Sequence, residues 1–422
     1  MDGGCFEHIL PLIKKGFLPN FQKLIKKGFY APLKVTNPPV TIPSWPCLFS
    51  GLNPEQIGYY WFDHPEKGLF NSNIWKEKSI FTLIPSRVFV LNVPGTYPAW
   101  KINGEMITGM MSPSISCYPP ELKFFIEKNW IIDGKNIPEV FQGFEIKKKL
   151  FLRKLKEDFD LMVYVIRVPD CLTHHSHLKP EQVFKYISSG YIKIDAFLGE
   201  IVNSKNFDNI FIFSDHGLKM YHYEFNLRRW LEKKKLLFIN KSKGRKLYSI
   251  IAKLYDFVRP IIKIDYRKYY ILKKSLLKNI IDDSISTRDT REKTTVLNFF
   301  GNVGGLYLAD KDKAKSEIIR DELIKDKRVE EVKSLDVDGF PDLFITVKDK
   351  YIFNHESSLF VIRGRNSIHH SQYGFYIAYG KDVKKGKLEL VNYIDIAPTI
   401  LKLFNIPKLD YMLGNPLNIF KN

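Results

Sequence analysis

Carboxylate, imidazole and hydroxyl side chains that could bind metal ions or act as a nucleophile lie far apart along the chain. They are Asp2, Thr41, Asp170, His174, Asp215, His216 and His370. Carboxylates and imidazoles are common ligands of zinc and of related divalent ions. The set is large enough to hold two such ions with one hydroxyl, that of Thr41, as a nucleophile between them. This composition favours a hydrolase that uses two metal ions.

Two apolar runs position several of these side chains. Residues 160–168 predict a buried strand of a parallel sheet, and Asp170 follows that strand closely. Residues 209–214 repeat the pattern and are followed directly by Asp215 and His216. Open α/β sheets bind ligands at the carboxyl ends of their strands. An adjacent acid and imidazole at such a strand end are costly to bury unless they are paired or bind metal, which favours a functional role.

Simpler explanations exist for the other residues. Asp170 and His174 also fit an ordinary helix start, because Asp is a favoured N-cap residue. Thr41 could cap a helix whose first turn holds Pro43, although a hydroxyl at a helix start also lies near N–H groups that suit a phosphoryl group. His370 has a neighbour, His369, that could take its place, and a single His before a strand is more often a surface or core residue.

Seven short motifs follow one another along nearly the whole chain. They are Asp2-Gly-Gly, Pro39-Val-Thr-Ile-Pro-Ser-Trp, Ser50-Gly-Leu-Asn-Pro, Asn92-Val-Pro-Gly-Thr-Tyr-Pro, Pro169-Asp, Ser214-Asp-His-Gly and Tyr393-Ile-Asp-Ile-Ala-Pro-Thr. In combination and order they resemble the alkaline phosphatase superfamily and, within it, the type I phosphodiesterase/nucleotide pyrophosphatase branch. The resemblance implies an α/β fold, namely an alkaline-phosphatase-like three-layer sandwich with a mostly parallel central sheet and an inserted α+β cap.

The resemblance also implies a role for each candidate side chain. One metal ion would be held by Asp170, His174 and His370, and the other by Asp2, Asp215 and His216. Thr41 would be the nucleophile and would form a covalent intermediate. His370 is preferred to His369 because the family places its last His four residues before a Gly that opens a strand, as Gly374 does here. The mixed ligands suit two divalent ions, zinc or alternatively manganese or iron.

The reaction that the resemblance implies is metal-dependent hydrolysis of phosphodiester or pyrophosphate bonds in a small phosphorylated substrate, such as a nucleotide. Phosphomonoester hydrolysis is the alternative within the superfamily. A transferase of phospho head groups and a non-catalytic binding member are the alternatives outside hydrolysis. Two differences between this chain and its relatives leave the substrate unassigned. Many relatives carry His where this chain has Ile57, and residues 58–63 have no clear counterpart of the Asn that clamps phosphate in the animal enzymes.

The start of the chain and its cysteines are the features that bear on where the protein is located in the cell. In the family an apolar strand leads into the residue that matches Asp2, and its absence would leave a gap at the centre of the sheet, so we expect the true start to lie upstream. No signal peptide precedes Asp2, and no apolar run reaches the length of a membrane span. The four cysteines form neither a metal-type spacing nor an obvious disulfide framework. We therefore expect a cytoplasmic protein.

The chain divides into three regions that differ in pattern and charge. Residues 1–225 and 366–422 predict the two parts of a catalytic core, and residues 226–365 predict an inserted cap. Within the cap, residues 232–278 contain 15 Lys or Arg and 3 Asp or Glu, out of a net charge of +19 for the chain. A membrane surface or another polyanion could dock there, although a solvated helix face explains the charge equally simply. No motif predicts sequence-specific binding of nucleic acid.

Overall fold

The structure, a computed structural model, describes residues 1–421 except 65, 127–129, 133, 175–179, 238–294, 299–300, 309–311 and 354–360. Most of the basic segment at 232–278 therefore lies outside the described residues. The chain divides into two compact units. The first contains Met1–Lys219 and His370–Asn422, and the second contains Met220–His369.

The first unit alternates helices and strands. Its helices are α1 (Phe6–Lys14), α2 (Pro19–Lys27), α3 (Thr41–Ser50), α4 (Pro54–Ile57), α5 (Ile80–Leu83), α6 (Ile137–Lys154), α7 (Val168–Thr173), α8 (Pro180–Ser204) and α11 (Ile396–Leu403). Its strands are β1 (Phe29–Lys34), β2 (Asp63–His64), β3 (Gly68–Leu69), β4 (Val88–Val93), β5 (Gly104–Thr108), β6 (Cys117–Tyr118), β7 (Leu161–Tyr164), β8 (Asn209–Phe213), β16 (Tyr373–Gly380), β17 (Gly386–Lys387) and β18 (Val391–Asn392).

Two sheets form the centre of this unit. One has the order β17-β1-β16-β8, with β18 also paired to β1, and β16 is antiparallel to both β1 and β8. The other has the order β6-β5-β4-β7, and β4 is parallel to both β5 and β7. Strand β4 is buried at every position, as expected for an apolar strand that has neighbours on both edges and cover on both faces. The unit is thus a mixed α/β fold.

The strands predicted at residues 160–168 and 209–214 are present but shorter. Strand β7 ends at Tyr164, and helix α7 begins at Val168, where Pro169 occupies a first-turn position that proline tolerates. The prediction that the first of these strands is buried is wrong, because every side chain of β7 is only partly buried. Among the described residues, β7 pairs only with β4, and β8 pairs only with β16.

An aromatic cluster anchors helix α3 against the sheets. The ring of Trp45 stacks on Phe49 at 5.7 Å, and Phe49 contacts Phe81 at 4.9 Å and Phe213 of β8 at 5.8 Å. Burial of each large apolar side chain stabilises the fold by roughly 1.5–3 kcal/mol. This packing holds α3 against the carboxyl end of β8.

The second unit is an α+β arrangement inserted in the sequence between His216 and His370. Among the described residues, its helices are α9 (Leu227–Lys233) and α10 (Lys313–Ile324). The strands in the same described ranges are β9 (Gly217–Phe225), β10 (Thr295–Asn298), β11 (Val303–Tyr307), β12 (Val329–Ser334), β13 (Leu343–Val347), β14 (Tyr351–Phe353) and β15 (Val361–Ser371). Strand β9 begins in the first unit, and β15 ends in it. One sheet has the order β10-β11-β13-β12. Ile319 and Leu323 of α10 join its apolar core.

The four cysteines are free thiols. Cys5 and Cys47 are buried, and burial raises the pKa of Cys5 to about 12, so its thiol stays protonated at neutral pH. No helix in the described part of the chain combines the length and the hydropathy that crossing a bilayer requires.

A buried histidine on α1 makes the stability of the first unit depend on pH. His8 packs edge-on against Phe184 and Tyr191 of α8, and its Nδ1 has no hydrogen-bond partner among the described residues. Burial lowers the pKa of His8 from 6.5 to about 4. Between these two values the unfolded chain binds a proton that the folded chain does not, so the free energy of unfolding falls as the pH falls from 6.5 to 4.

We expect His8→Phe to remove this acid sensitivity, because the ring is kept and the titrating nitrogen is lost. Between pH 7.5 and pH 4, the unsubstituted protein should lose about 3 kcal/mol more free energy of unfolding than the variant loses. Urea titrations at the two pH values measure the difference. Equal losses of stability in both proteins over this range would show that His8 is not the group responsible.

Candidate metal centre

The six predicted metal ligands come together at the carboxyl ends of β7 and β8. Asp170 lies in α7, and Asp215 and His216 follow β8 directly. The main chain brings Asp2 to the same place, because its N–H donates to the carbonyl of Ile166 at 2.8 Å. Five of the six are at most 4% exposed, and the side chain of His174 is 50% exposed. The sheet thus gathers residues that are more than 350 positions apart in sequence.

Asp170 lies at the centre of one group. Its Oδ1 is 3.0 Å from Nε2 of His370, and its Oδ2 is 3.1 Å from Nε2 of His174. The rings of His370 and His216 stack at 3.7 Å, so that Nε2 of His216 also lies 4.0 Å from Asp170 Oδ1. The ligand atoms of Asp170, His216 and His370 all lie within 4.8 Å of one another, a spacing that one metal ion could bridge.

Asp2, Asp215 and His216 form a second group of the same size. His216 Nε2 is 3.2 Å from Asp2 Oδ1 and 3.5 Å from Asp215 Oδ2. None of these three atoms has a hydrogen-bond partner among the described residues. Each buried polar atom left unpaired costs about 1–3 kcal/mol. A single divalent ion placed among these three atoms would satisfy all of them, so their arrangement suits a metal-binding site.

The two groups overlap at His216. The sequence assigns His174 to the first group and His216 to the second alone. In the structure His216 stands between both groups, whereas His174 contacts Asp170 from a half-exposed position. The neighbour of His370, His369, is only partly buried. The distances therefore do not assign His216 to one group alone.

Asp215 and His216 have raised pKa values, which favour their protonated forms. Burial raises the pKa of Asp215 well above its ordinary value, and the nearby Asp2 raises it further. Burial lowers the pKa of His216, but the neighbouring carboxylates of Asp215 and Asp2 outweigh burial and raise it to about 10. Burial, together with the charge of His216, lowers the pKa of His370. A metal ion that binds here would displace protons, so its affinity should rise with pH.

Arg167 contacts the carboxylates of the cluster, and the sequence analysis did not single it out. Its Nε donates to Asp2 Oδ2 at 2.8 Å, and its Nη2 donates to Asp170 Oδ2 at 3.5 Å, with only 10% of the side chain exposed. The guanidinium thus bridges one carboxylate from each group and offsets part of their charge. The signal for it was present, since Arg167 is a cation inside the otherwise apolar run at 160–168.

Thr41 lies at the first position of α3 and is 3% exposed. The N-cap residue is Val40, so the alternative in which Thr41 caps the helix is wrong. Ile42 is extended, with φ −113° and ψ 122°, so regular helix begins only after it. His370 ties this segment to the metal groups, because its Nδ1 lies 2.9 Å from the carbonyl of Pro39. The proposed nucleophile is thus two residues from a direct contact with the cluster.

Comparisons with known proteins identify the family of this chain. Residues 2–358 match the family model of type I phosphodiesterase / nucleotide pyrophosphatase. Murine ectonucleotide pyrophosphatase / phosphodiesterase 5 has a similar structure, with a TM-score of 0.56, 13% sequence identity, and coverage of 100% of this chain and 98% of that chain. The structure of an inactive variant of the murine protein in complex with AMP has a TM-score of 0.57, and that of the human protein has a TM-score of 0.53. Both have the same sequence identity and coverage as the first structure. No curated protein matches the chain at a significant level.

The family model defines the class of protein: the chain belongs to the type I phosphodiesterase / nucleotide pyrophosphatase family, whose model matches most of its length. It is therefore a phosphoric ester hydrolase that acts on phosphodiesters. The resemblance drawn from the seven motifs is confirmed.

Proposed function

We propose that the protein hydrolyses phosphodiester or pyrophosphate bonds in small nucleotide-type substrates, with two divalent ions and with Thr41 as the nucleophile. The observation that carries the proposal is the pair of buried ligand groups that meet at His216, with three polar atoms unsatisfied among the described residues. The AMP complex of the murine protein supports a nucleotide as the substrate class.

Asp2, Asp215 and His216 would hold one ion, and Asp170 and His370 would hold the other, with His174 completing its ligands. Divalent ions at such a site lower the pKa of a hydroxyl and stabilise negative charge on phosphate oxygens. The carboxylate and imidazole ligands suit zinc, with manganese or iron as alternatives. Arg167 would hold the carboxylates of Asp2 and Asp170 in orientation from the opposite side.

The chemistry of this chain's own residues runs in two steps. In the first, the Thr41 hydroxyl loses its proton to solvent, its oxygen forms a bond to phosphorus, and the bond from phosphorus to the leaving oxygen breaks. In the second, water attacks phosphorus, the bond from phosphorus to the Thr41 oxygen breaks, and a proton from the water regenerates the hydroxyl. The extended Ile42 leaves its N–H near the start of α3, where unpaired N–H groups and the helix dipole favour a phosphate oxygen.

Hydrolysis of a paired diester and monoester tests the proposal. The metal-free protein should cleave neither the p-nitrophenyl ester of thymidine monophosphate nor p-nitrophenyl phosphate. Added zinc or manganese should restore diester cleavage at a rate at least about 10-fold above that of the monoester. Faster monoester cleavage would instead indicate a phosphomonoesterase. Bound metal without turnover would indicate a binding protein, and transfer to an added alcohol would indicate a transferase.

We also propose that the sheets of the first unit belong to the central sheet of a three-layer sandwich. The apolar strands β4 and β5 support this, because parallel strands of this kind require helices on both faces.

A further inference from the structure

Helices α1 and α2 of the first unit carry a concentration of positive charge that lies outside the metal centre. Residues 8–28 contain five lysines and no Asp or Glu. The five are Lys14, Lys15, Lys23, Lys26 and Lys27. None of them forms an ion pair with another residue in the described part of the chain. Charge that no neighbouring acid offsets attracts an anionic partner.

The fold uses only the inner side of these two helices. The buried side chains of the pair are His8, Ile9, Leu12, Phe21 and Leu24. Phe21 packs edge-on against Tyr191 of α8 and Phe375 of β16. Four of the five lysines are exposed, and the fifth, Lys23, is partly exposed. The lysines therefore form the outer face of the helix pair, which we call the basic face.

Two large apolar side chains lie within the basic face. The exposed fraction of the side chains is 48% for Leu10 and 52% for Phe17. Leu10 is one helical turn before Lys14, so the two side chains share a face of α1. The N–H of Phe17 donates to the carbonyl of Leu12 at 3.0 Å, which holds Phe17 beside the end of the helix. Exposed apolar side chains that lie close together, rather than singly, mark interaction sites.

The edge of the neighbouring sheet extends the positive surface. Strand β17 follows the end of α2 in space, because the N–H of Gly386 donates to the carbonyl of Gly28 at 3.2 Å. The ammonium of Lys387 lies 5.8 Å from the ring centroid of Tyr30. The same ring packs edge-on against Phe6 of α1 at 6.1 Å. Lys387 is therefore on the helix side of the sheet and adds to the charge of the basic face.

We propose that the basic face docks on the surface of a lipid bilayer that contains anionic lipids. The lysines would contact the headgroups, and their aliphatic stems would lie along the apolar surface. Leu10 and Phe17 would enter the boundary between headgroups and acyl chains, which is the position of apolar side chains in interfacial helices. A nucleic acid backbone would attract the lysines but would offer Leu10 no apolar surroundings, so the combination favours lipid.

Sedimentation of the full-length protein with lipid vesicles tests the proposal. The vesicles contain either phosphatidylcholine alone or phosphatidylcholine with about 30% phosphatidylserine. We expect the unsubstituted protein to prefer the anionic vesicles. The double variant Leu10→Ser, Phe17→Ser and the double variant Lys14→Gln, Lys15→Gln should each lower the partition coefficient on those vesicles at least about 10-fold.

Each double variant has a matched control in the first unit. Phe124→Ser removes an apolar side chain that is 89% exposed, and the double variant Lys149→Gln, Lys156→Gln removes two exposed lysines. Both controls should bind within about 2-fold of the unsubstituted protein. The lysine variant and its control have equal net charge, and all proteins retain the basic segment at 232–278. A difference within a pair therefore reports on the basic face alone.

Equal losses in the lysine variant and its control would overturn the proposal, because net charge would then be sufficient. Weakened vesicle binding in the lysine variant but not in the Leu10 and Phe17 variant would also overturn it, since charge alone would hold the partner. Unchanged vesicle binding in both test variants, with weaker binding of a short DNA duplex in the lysine variant, would assign the face to nucleic acid instead.

Circular dichroism checks that every variant is folded. If the Leu10 and Phe17 double variant is unfolded, Phe17→Gln alone replaces it, with an expected loss of at least about 3-fold and Phe124→Gln as its control. The measurement requires neither bound metal nor turnover, so its outcome is independent of the proposed hydrolysis.

Discussion

Thr41→Ala should lower kcat for diester hydrolysis by at least about 1,000-fold while the protein keeps its full metal content. The change removes the proposed attacking oxygen but none of the ligand atoms in the two groups. A metal-bound water could still attack slowly, which sets the residual rate. Steady-state kinetics with the nitrophenyl diester measure the loss, and elemental analysis of the dialysed protein measures the bound metal.

Two matched variants separate the nucleophile from its surroundings. Thr41→Ser keeps a hydroxyl at the same position and should retain activity within about 10-fold of the unsubstituted protein. Thr36→Ala removes a nearby buried hydroxyl that bonds to the carbonyl of Pro38 and to Ser44, so it should lower Tm but leave the chemical step in place. If Thr41→Ala remained as active as Thr41→Ser, the nucleophile would have to be sought elsewhere.

His216→Ala should remove both metal ions from the protein. Its Nε2 would be a ligand of the ion held with Asp2 and Asp215, and it lies 4.0 Å from Asp170 Oδ1 in the other group, so its loss disturbs both groups. The removed ring also stacks on His370, which would lose the contact that orients it. Metal content after dialysis against a limiting concentration of zinc should fall from two equivalents to fewer than about half of one.

His174→Ala provides the comparison. This ring is half-exposed and contacts Asp170 of the first group, so we expect the loss of at most one equivalent. His369→Ala is the control at a position adjacent to His370 and should lose none. Circular dichroism confirms that each variant is folded. An equal loss in the His174 and His216 variants would show that His216 is no more important for metal binding than His174.

Local patterns in the sequence were sufficient to predict most of the elements that carry the site. The apolar run before Asp215 predicted β8, because strand formation depends on residues that are neighbours in the chain. The adjacent acid and imidazole at 215–216 also stood out locally. The ordered motifs identified the family without any knowledge of distances.

Contacts between distant residues could not be predicted in this way. The stacking of His216 on His370 joins positions that are 154 residues apart, and the bridge from Arg167 to Asp2 spans 165. Such contacts depend on which strand ends lie side by side, and sheet order is not encoded in any short stretch of sequence. The same reason explains why the buried strand predicted at 160–168 is only partly covered.

The sequence by itself determined the family, the residue types of the site and the strand ends that carry them, because these follow from local pattern and from motif order. The tertiary structure alone decided that His216 stands between two ligand groups and that Arg167 bridges them. Each of these depends on how strands from distant parts of the chain are placed in the sheets, and side-chain distances are set only there.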